Sequence, residues 1–191
     1  MSALASPPWH AGAVDPAPPS DQGVAPPAQA AEPPDEAAAL RAFFLGTSFF
    51  GGLEPKLAVR LSELFKEHRY PKGATVFAEG AAGKSMYIVR SGQLIVERRC
   101  SDGVEARLLM MRPGDFFGVT SLIEMEPRPF GCVAETDSVL YELTNAELYK
   151  LYKEDLKGYT LVLQNINREL CRKLRKAAQR IATLEDSLRK K

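Results

Sequence analysis

The residues best suited to chemistry in this 191-residue chain lie between Gly114 and Arg128. Gly114 and Gly118 flank two phenylalanines, and the segment 120–124 that follows has helical character. The first turn of a helix presents unpaired backbone N–H groups and partial positive charge, so a glycine loop leading into a helix can bind an anion. Arg128 carries a planar guanidinium that could close over the same anion. The pattern therefore predicts an anion site.

Two side chains near this predicted site allow more than one interpretation. Arg128 could act as a half-buried phosphate ligand, or it could instead pair with Glu124 or Glu126. Cys132 could be an oxidisable thiol close to the site, although packing in a buried position is the favoured interpretation.

Metal and nucleophilic chemistry find little support in the composition. The chain has two histidines, His10 and His68, which argues against the histidine-built metal site that a small barrel enzyme would need. Two histidines also do not allow a convincing Ser/His/Asp or Cys/His set. We therefore expect a non-enzymatic protein without a metal site.

Cysteine usage and hydropathy bear on location. The three cysteines are irregularly spaced, which favours reduced thiols in a cytoplasm over a disulfide framework. The N-terminus lacks the basic and apolar regions of a signal peptide. No apolar run approaches the ~20 residues of a membrane span. We expect a cytoplasmic protein with no membrane span.

Composition divides the chain into four predicted regions. Residues 1–34 are rich in Ala and Pro and are predicted to be a disordered tail, in which Trp9 is either a docking anchor or incidental. Residues 35–66 are predicted to form N-terminal helices. Residues 67–143 are predicted to form a β-barrel, and residues 144–191 are predicted to form C-terminal helices.

The barrel prediction rests on short β-like runs separated by glycines, a pattern typical of an antiparallel barrel or sandwich. Two apolar runs flank the segment 90–92, Arg-Ser-Gly, which we interpret as a hairpin turn. Asp102 and Gly103 predict a second turn, since Asp-Gly is a favoured hairpin pair.

Residues typical of helix ends predict helices before and after the barrel in the sequence. Asp35 is predicted to cap a helix that ends near Gly46, and Pro55 suits the first turn of a second helix. Thr144 and Glu147 have the spacing of a capping box, which predicts a helix start directly after the barrel.

The longest predicted helix follows Asp155, because no proline occurs beyond it and apolar residues recur at steps of three and four. Such a stripe is typical of a coiled-coil seam and exceeds what one small barrel can bury. We predict a homodimer, with packing against the same chain's barrel as the alternative. The predicted dimer interface comprises Tyr159, Leu163, Ile166, Leu170, Leu174, Ala177, Ile181 and Leu184. The polar residues Gln164, Asn165 and Asn167 either fix the coiled-coil register, which is favoured, or contact a ligand.

Several residues of the predicted barrel follow one another in a specific order: Pro71, Gly73, Val76, Gly80, Gly83, Tyr87, Ile88, Gly92, Leu94 and Val96. This string resembles the cyclic-nucleotide-binding domain, the sensor module of the Crp/Fnr regulators. Phe117, Gly118 and Arg128 match its phosphate-binding cassette. The resemblance implies a mainly β fold with flanking helices, a double-stranded β-helix or jelly-roll barrel. It also implies that the final helix is the dimer interface.

The cassette departs from the family pattern at two positions. The family glutamate that holds the ribose 2′-hydroxyl is Val119 here, and the hydroxyl residue after the arginine is Pro129. Valine accepts no hydrogen bond and proline donates none. Each lost contact costs on the order of 1–3 kcal/mol, so together they weaken binding about a thousandfold. The candidate ligand-binding residues are Phe117, Gly118, Val119, Thr120, Ser121, Arg128, Pro129 and Phe130.

These observations predict a sensor or adaptor that acts as a homodimer on an unidentified protein partner. We expect binding of cAMP or cGMP to be weak or lost, and no other cofactor. The chain stops where a Crp/Fnr regulator would begin its helix-turn-helix, so no sequence-specific DNA binding is expected. One alternative is a scaffold whose barrel and long helix recruit partners. Another is nucleic-acid association through the basic residues from Arg168 onwards.

Overall fold

A computed structural model describes residues 34–101 and 103–190, so nearly all of the predicted tail, including Trp9, lies outside the described residues. The helices are α1 (Pro34–Gly46), α2 (Pro55–Ser62), α3 (Val119–Glu124), α4 (Asn145–Glu154) and α5 (Leu156–Arg189), with a 3₁₀ turn at Ser48–Phe50. The strands are β1 (Lys66–Tyr70), β2 (Thr75–Phe77), β3 (Ser85–Ser91), β4 (Leu94–Arg99), β5 (Glu105–Met111), β6 (Phe116–Phe117), β7 (Gly131–Ala134) and β8 (Ser138–Thr144).

Within the described residues the strands form two antiparallel sheets, in the orders β1-β8-β3-β6 and β2-β7-β4-β5. Both sheets contribute side chains to one buried cluster, called here the barrel core: Tyr87, Val89, Leu94, Val96, Met111, Phe117, Cys132 and Leu140. Because alternate residues of a strand point to opposite faces, this cluster fills the space between the sheets. The predicted mainly β architecture with flanking helices is confirmed.

The predicted hairpin at segment 90–92 is wrong. Strand β3 pairs with β8 and β6, whereas β4 pairs with β5 and β7, so the segment is a corner between the two sheets. Gly92 has φ +87°, and a Cβ there would lie 2.5 Å from the Asp137 carbonyl oxygen. The glycine is needed because the chain passes directly over the turn before β8.

The turn containing Gly103 does join a hairpin, as predicted. Strands β4 and β5 pair directly, from Leu94 opposite Met111 to Arg99 opposite Glu105. Gly103 has φ +82°, and the Cys100 N–H donates to the Val104 carbonyl at 2.8 Å to close the turn. Glycine supplies this left-handed conformation at no steric cost.

A second buried cluster lies between sheet β1-β8-β3-β6 and the helices, and is called here the helix-side core. Its aromatic centre is Phe44, whose ring centroid lies 4.9 Å from those of both Phe50 and Tyr141. Phe49 is fully buried beside them. These contacts fix α1 and the 3₁₀ turn on the barrel. Helix α1 begins at Pro34, so Asp35 lies within its first turn rather than at its cap.

Helices α4 and α5 begin at side-chain caps. The predicted capping box is confirmed, since the Glu147 N–H donates to Thr144 Oγ1 at 3.3 Å and the Thr144 N–H donates to Glu147 Oε2 at 3.2 Å. Asp155 Oδ1 accepts from the Gly158 N–H at 2.8 Å and starts α5, which then runs 34 residues.

The apolar stripe along α5 divides into two parts. Tyr159 and Ile166, at 7% and 0% exposure, are buried in the helix-side core of the same chain. Leu163 and Leu170 pack partly against that core. Tyr159 and Ile166 are therefore covered by their own chain, and Leu163 and Leu170 are partly covered by it. Beyond Leu170 the apolar residues of the stripe are exposed: Leu174, Ala177, Ile181, Leu184 and Leu188.

Candidate ligand-binding site

The predicted cassette lies where the edge strand β6 turns into helix α3. Strand β6 pairs with β3, placing Phe117 opposite Tyr87. Gly118 connects strand to helix with φ +79°, and a Cβ there would lie 2.6 Å from Arg128 Nη1. Only glycine fits this backbone conformation at such a close approach, so Gly118 sets the distance between the cassette backbone and the arginine.

Arg128 is the best-packed charged group of the site, with 4% of its surface exposed. Its Nη1 donates to the Gly118 carbonyl at 3.0 Å, and its Nη2 donates to the Ser85 carbonyl at 2.8 Å. The guanidinium carbon lies 4.2 Å from the Phe77 ring centroid, within range of a cation–π contact. Burial lowers the pKa of Arg128, because the charged form has lost water.

The alternative that Arg128 pairs with Glu124 or Glu126 is not what the structure shows. Both glutamates are exposed, and among the described residues no carboxylate forms an ion pair with Arg128. Its donors meet backbone carbonyls instead. The buried positive charge is therefore stabilised by dipoles and an aromatic face, which leaves it able to attract an anion.

Two polar atoms of the site are buried without a hydrogen-bond partner in the described chain, Ser121 Oγ and Arg128 Nε. Both face Gly83, where an ideal Cβ would lie 2.8 Å from Ser121 Oγ and 3.0 Å from Arg128 Nε. Two backbone bonds hold the loop before Gly83 in place, since Gly80 N–H donates to the Arg128 carbonyl and Arg128 N–H donates to the Ala81 carbonyl, each at 2.8 Å.

The other predicted ligand residues are spread over different environments. Val119 is 3% exposed and belongs to the helix-side core. Thr120 is half-buried on α3, Pro129 is exposed, and Phe130 packs at the edge of the barrel core. The structure thus brings together Phe117, Gly118, Ser121 and Arg128 from the predicted set.

The sequence reasoning missed Ser85, Phe77 and the role of Gly83. Phe77 and Tyr87 form a stack with a centroid distance of 6.0 Å, and Tyr87 stacks on Phe117 at 5.5 Å. These rings form one wall beside Arg128. The spacing of Gly80 and Gly83 was the available signal, since glycines close to a strand often mark a close backbone approach.

Cys132 lies in the barrel core with no exposed surface. Burial raises the pKa of its thiol to about 12, so the thiol stays protonated at neutral pH. The packing interpretation therefore holds.

Among the described residues no group of three or more His, Cys, Asp or Glu side chains is placed to hold a metal ion. No described helix is both long enough and apolar enough to cross a membrane.

Helix α5 contacts the strands next to the cassette through two cations. Lys173 Nζ donates to the Phe116 carbonyl at 2.7 Å, and Arg180 Nη1 donates to the Leu108 carbonyl at 3.1 Å. Burial lowers the pKa of Lys173. Phe116 directly precedes Phe117 and Gly118. A displacement of β6 would therefore also displace the carbonyl to which Lys173 of α5 donates.

Comparison with known proteins agrees with this geometry. The family profile described as "Cyclic nucleotide-binding domain" matches residues 67–155. The "Cyclic AMP receptor protein" of Thermus thermophilus is 32% identical over 136 residues, 69% of this chain and 59% of the relative. A "cAMP-dependent protein kinase regulatory subunit" of Aspergillus fumigatus is 31% identical over 96 residues, 50% of this chain and 22% of the relative.

The solved structure of the Thermus thermophilus catabolite activator protein has the same jelly-roll fold. It superposes with a TM-score of 0.65 at 29% identity, over 73% of this chain and 63% of that chain. This chain spans about three-fifths of the length of the Thermus relative it matches. The chain therefore carries a cyclic nucleotide-binding domain, and its homologues include regulatory proteins of the Crp type.

Proposed function

We propose that this chain is a non-enzymatic regulatory module, a sensor or adaptor, that binds cAMP and cGMP weakly. The observation that supports a retained ligand site is Arg128, which is buried without a carboxylate partner among the described residues. Its charge is complementary to the phosphate that the relatives' names imply for their ligands. Lys173 then connects the cassette strand to α5, which is the proposed output element.

Weak nucleotide binding follows from the surroundings of Arg128. Val119 occupies the position of the ribose ligand, and its side chain points into the helix-side core, where it accepts no hydrogen bond. Pro129 follows the arginine and offers neither an N–H nor a hydroxyl to the phosphate. Both contacts that orient a cyclic ribose phosphate are thus replaced by apolar groups.

Calorimetry of the purified protein tests this proposal. We expect cAMP and cGMP to bind the wild-type chain about a thousandfold more weakly than a site with both contacts, because each missing contact is worth on the order of 1–3 kcal/mol. The double variant Val119→Glu/Pro129→Ser should recover part of the loss, and circular dichroism would verify that it folds. Micromolar or tighter binding of either nucleotide to the wild type contradicts the proposal.

We further propose that the module is a homodimer formed through the outer half of α5. Leu174, Ile181 and Leu184 are 71%, 59% and 55% exposed, at spacings that place them on one side of the helix. Such a stripe on a helix that extends beyond its own core is more stable when a second helix covers it. In this arrangement a change at the cassette would reach the partner chain through α5.

Light scattering coupled to size exclusion checks the dimer. We expect a solution mass of two subunits for the wild type and of one subunit for Ile181→Asp, since a charge in a closely packed apolar seam is strongly disfavoured. The matched control is Gln179→Asp, which adds the same charge on the opposite side of α5 and should stay dimeric. A wild-type mass of one subunit rules the dimer out.

A scaffold role is the second candidate, and the bonding of Arg128 favours it, because the side chain also joins Gly118 to Ser85 within the barrel. The two roles differ in one response. A scaffold binds its partner equally well with and without small ligands, whereas a sensor changes partner binding when its ligand is added.

A further inference from the structure

A cavity of about 300 Å³ lies between α1 and the strands β1, β3 and β8, and none of the candidate ligand-binding residues lines it. Its apolar wall consists of Leu40, Phe43 and Val139. Leu40 and Phe43 are only partly buried against the helix-side core, so they keep surface towards the cavity. A volume at the lower end of the range of binding pockets suits one large side chain better than a drug-sized ligand.

Arg90 brings a cation into this cavity. The residue is half-buried, and its guanidinium carbon lies 5.3 Å from the Phe43 ring centroid. Among the described residues no carboxylate forms an ion pair with Arg90, whereas the neighbouring Arg69 pairs with Glu67 at 2.7 Å. A guanidinium that stacks on one ring can take a second aromatic face, and indole is the strongest partner of this kind.

Glu36 adds a hydrogen-bond acceptor at the edge of the same cavity. It is exposed, and within residues 34–101 and 103–190 no cation forms an ion pair with it. The indole N–H is a donor only, and it needs an acceptor when the ring is covered. An apolar wall, an aromatic-stacking cation and an acceptor together therefore match tryptophan better than phenylalanine, which has no donor.

The one tryptophan of the chain, Trp9, belongs to the segment that joins the fold beside this cavity. Helix α1 begins at Pro34, and Glu36 in its first turn lines the cavity. Residues 10–33 connect Trp9 to this point, and the entropic cost of closing such a loop grows only with the logarithm of its length. Segment 1–33 carries three acidic residues and no Lys or Arg, so its charge is complementary to the cations of the cavity.

We propose that Trp9 docks in this cavity of its own chain, with its ring against Arg90 and the apolar wall and its N–H at Glu36. The partner of this surface is thus the N-terminal segment of the same molecule. Docking within one chain is favoured because a tethered segment has an effective concentration of about millimolar. The inference is independent of the cassette and of nucleotide binding.

Fluorescence of the full chain tests the docking, because Trp9 is the only tryptophan and its emission is not mixed with that of another. We expect the folded protein to emit at a shorter wavelength than the urea-unfolded chain and to be severalfold less quenched by acrylamide. Equal wavelength and equal quenching overturn the proposal. The emission should not change on dilution. A shift that disappears on dilution assigns the cavity to Trp9 of a second copy and overturns docking within the chain.

A double-mutant cycle tests whether Trp9 lies at Arg90. Trp9→Ala should raise the equilibrium constant of unfolding about fivefold more in the wild-type background than in the Arg90→Ala background. The matched control is Arg98→Ala on β4 of the other sheet, where the Arg98 side chain is 61% exposed and pairs with Glu79. Its effect should add to that of Trp9→Ala. Urea unfolding followed by circular dichroism measures every variant. Additive effects of Trp9→Ala and Arg90→Ala, or equal coupling to Arg98, overturn the proposal.

Discussion

Replacing Arg128 with methionine is expected to destabilise the folded protein by about 2 kcal/mol. The change leaves the Ser85 carbonyl without its donor, at about 1–3 kcal/mol for a buried acceptor, whereas the Gly118 carbonyl still accepts from the Leu122 N–H at 3.4 Å. It also removes the contact of the guanidinium with Phe77, worth about 1 kcal/mol. The desolvated charge disappears at the same time, which returns part of this loss. The unsatisfied Ser85 carbonyl and the lost contact with Phe77 outweigh that relief, because methionine supplies neither a donor nor a charge.

Urea unfolding followed by circular dichroism measures this effect. The matched control is Arg69→Met, since the Arg69 side chain is 76% exposed and pairs with Glu67 on the surface of β1. A surface pair contributes about 0–1 kcal/mol, so the control should remain close to the wild type. An Arg128→Met variant within 1 kcal/mol of the control would show that the barrel does not depend on the buried guanidinium.

This structural role limits what Arg128 variants can reveal about function. Loss of a ligand response in such a variant does not separate a lost ligand contact from a lost cassette fold, because Arg128 joins Gly118 to Ser85 at the neighbouring strands β6 and β3. Ser121 is the cleaner probe, since its hydroxyl makes no bond that holds the described chain together.

The sequence predicted the features that depend on neighbouring residues. The capping box of Thr144 and Glu147 and the turn at Gly103 are encoded within a few positions, so the local pattern was sufficient. The partners of Arg128 were not predictable in this way. Ser85 is separated from it by 43 residues, and only the folded barrel brings the Ser85 carbonyl to the Arg128 guanidinium.

Periodicity located a face of α5 but not the atoms that cover it. Ile166 and Ile181 occupy the same apolar stripe, yet the first is fully buried by its own chain and the second is 59% exposed. The difference arises because α5 extends beyond the helix-side core. The spacing of apolar residues along the sequence does not show where the helix leaves that core. Burial of Ile181 by a second chain therefore stays a prediction.

The polar residues of α5 show the same limit. Gln164 and Asn167 are exposed, whereas Asn165 is 3% exposed and faces the N-terminal segment of the same chain. Its Nδ2 donates to the Phe49 carbonyl at 2.9 Å and to the Gly51 carbonyl at 2.8 Å. Asn165 thus neither sets a coiled-coil register nor contacts the cassette, and instead fastens α5 to the 3₁₀ turn.

Replacing Asn165 with alanine should therefore destabilise the protein by about 3 kcal/mol. Two carbonyls lose their donors, at about 1–3 kcal/mol each, while the higher helix propensity of alanine returns only about 0.6 kcal/mol. In Asn167→Ala, the matched control on the exposed side of the same turn, only the propensity change remains, so a small stabilisation is expected. Urea unfolding measures the change in the free energy of unfolding for both variants. A loss of stability in Asn165→Ala with a small gain in Asn167→Ala supports the role of Asn165. Equal changes in the two variants would show that the two carbonyls do not depend on Asn165.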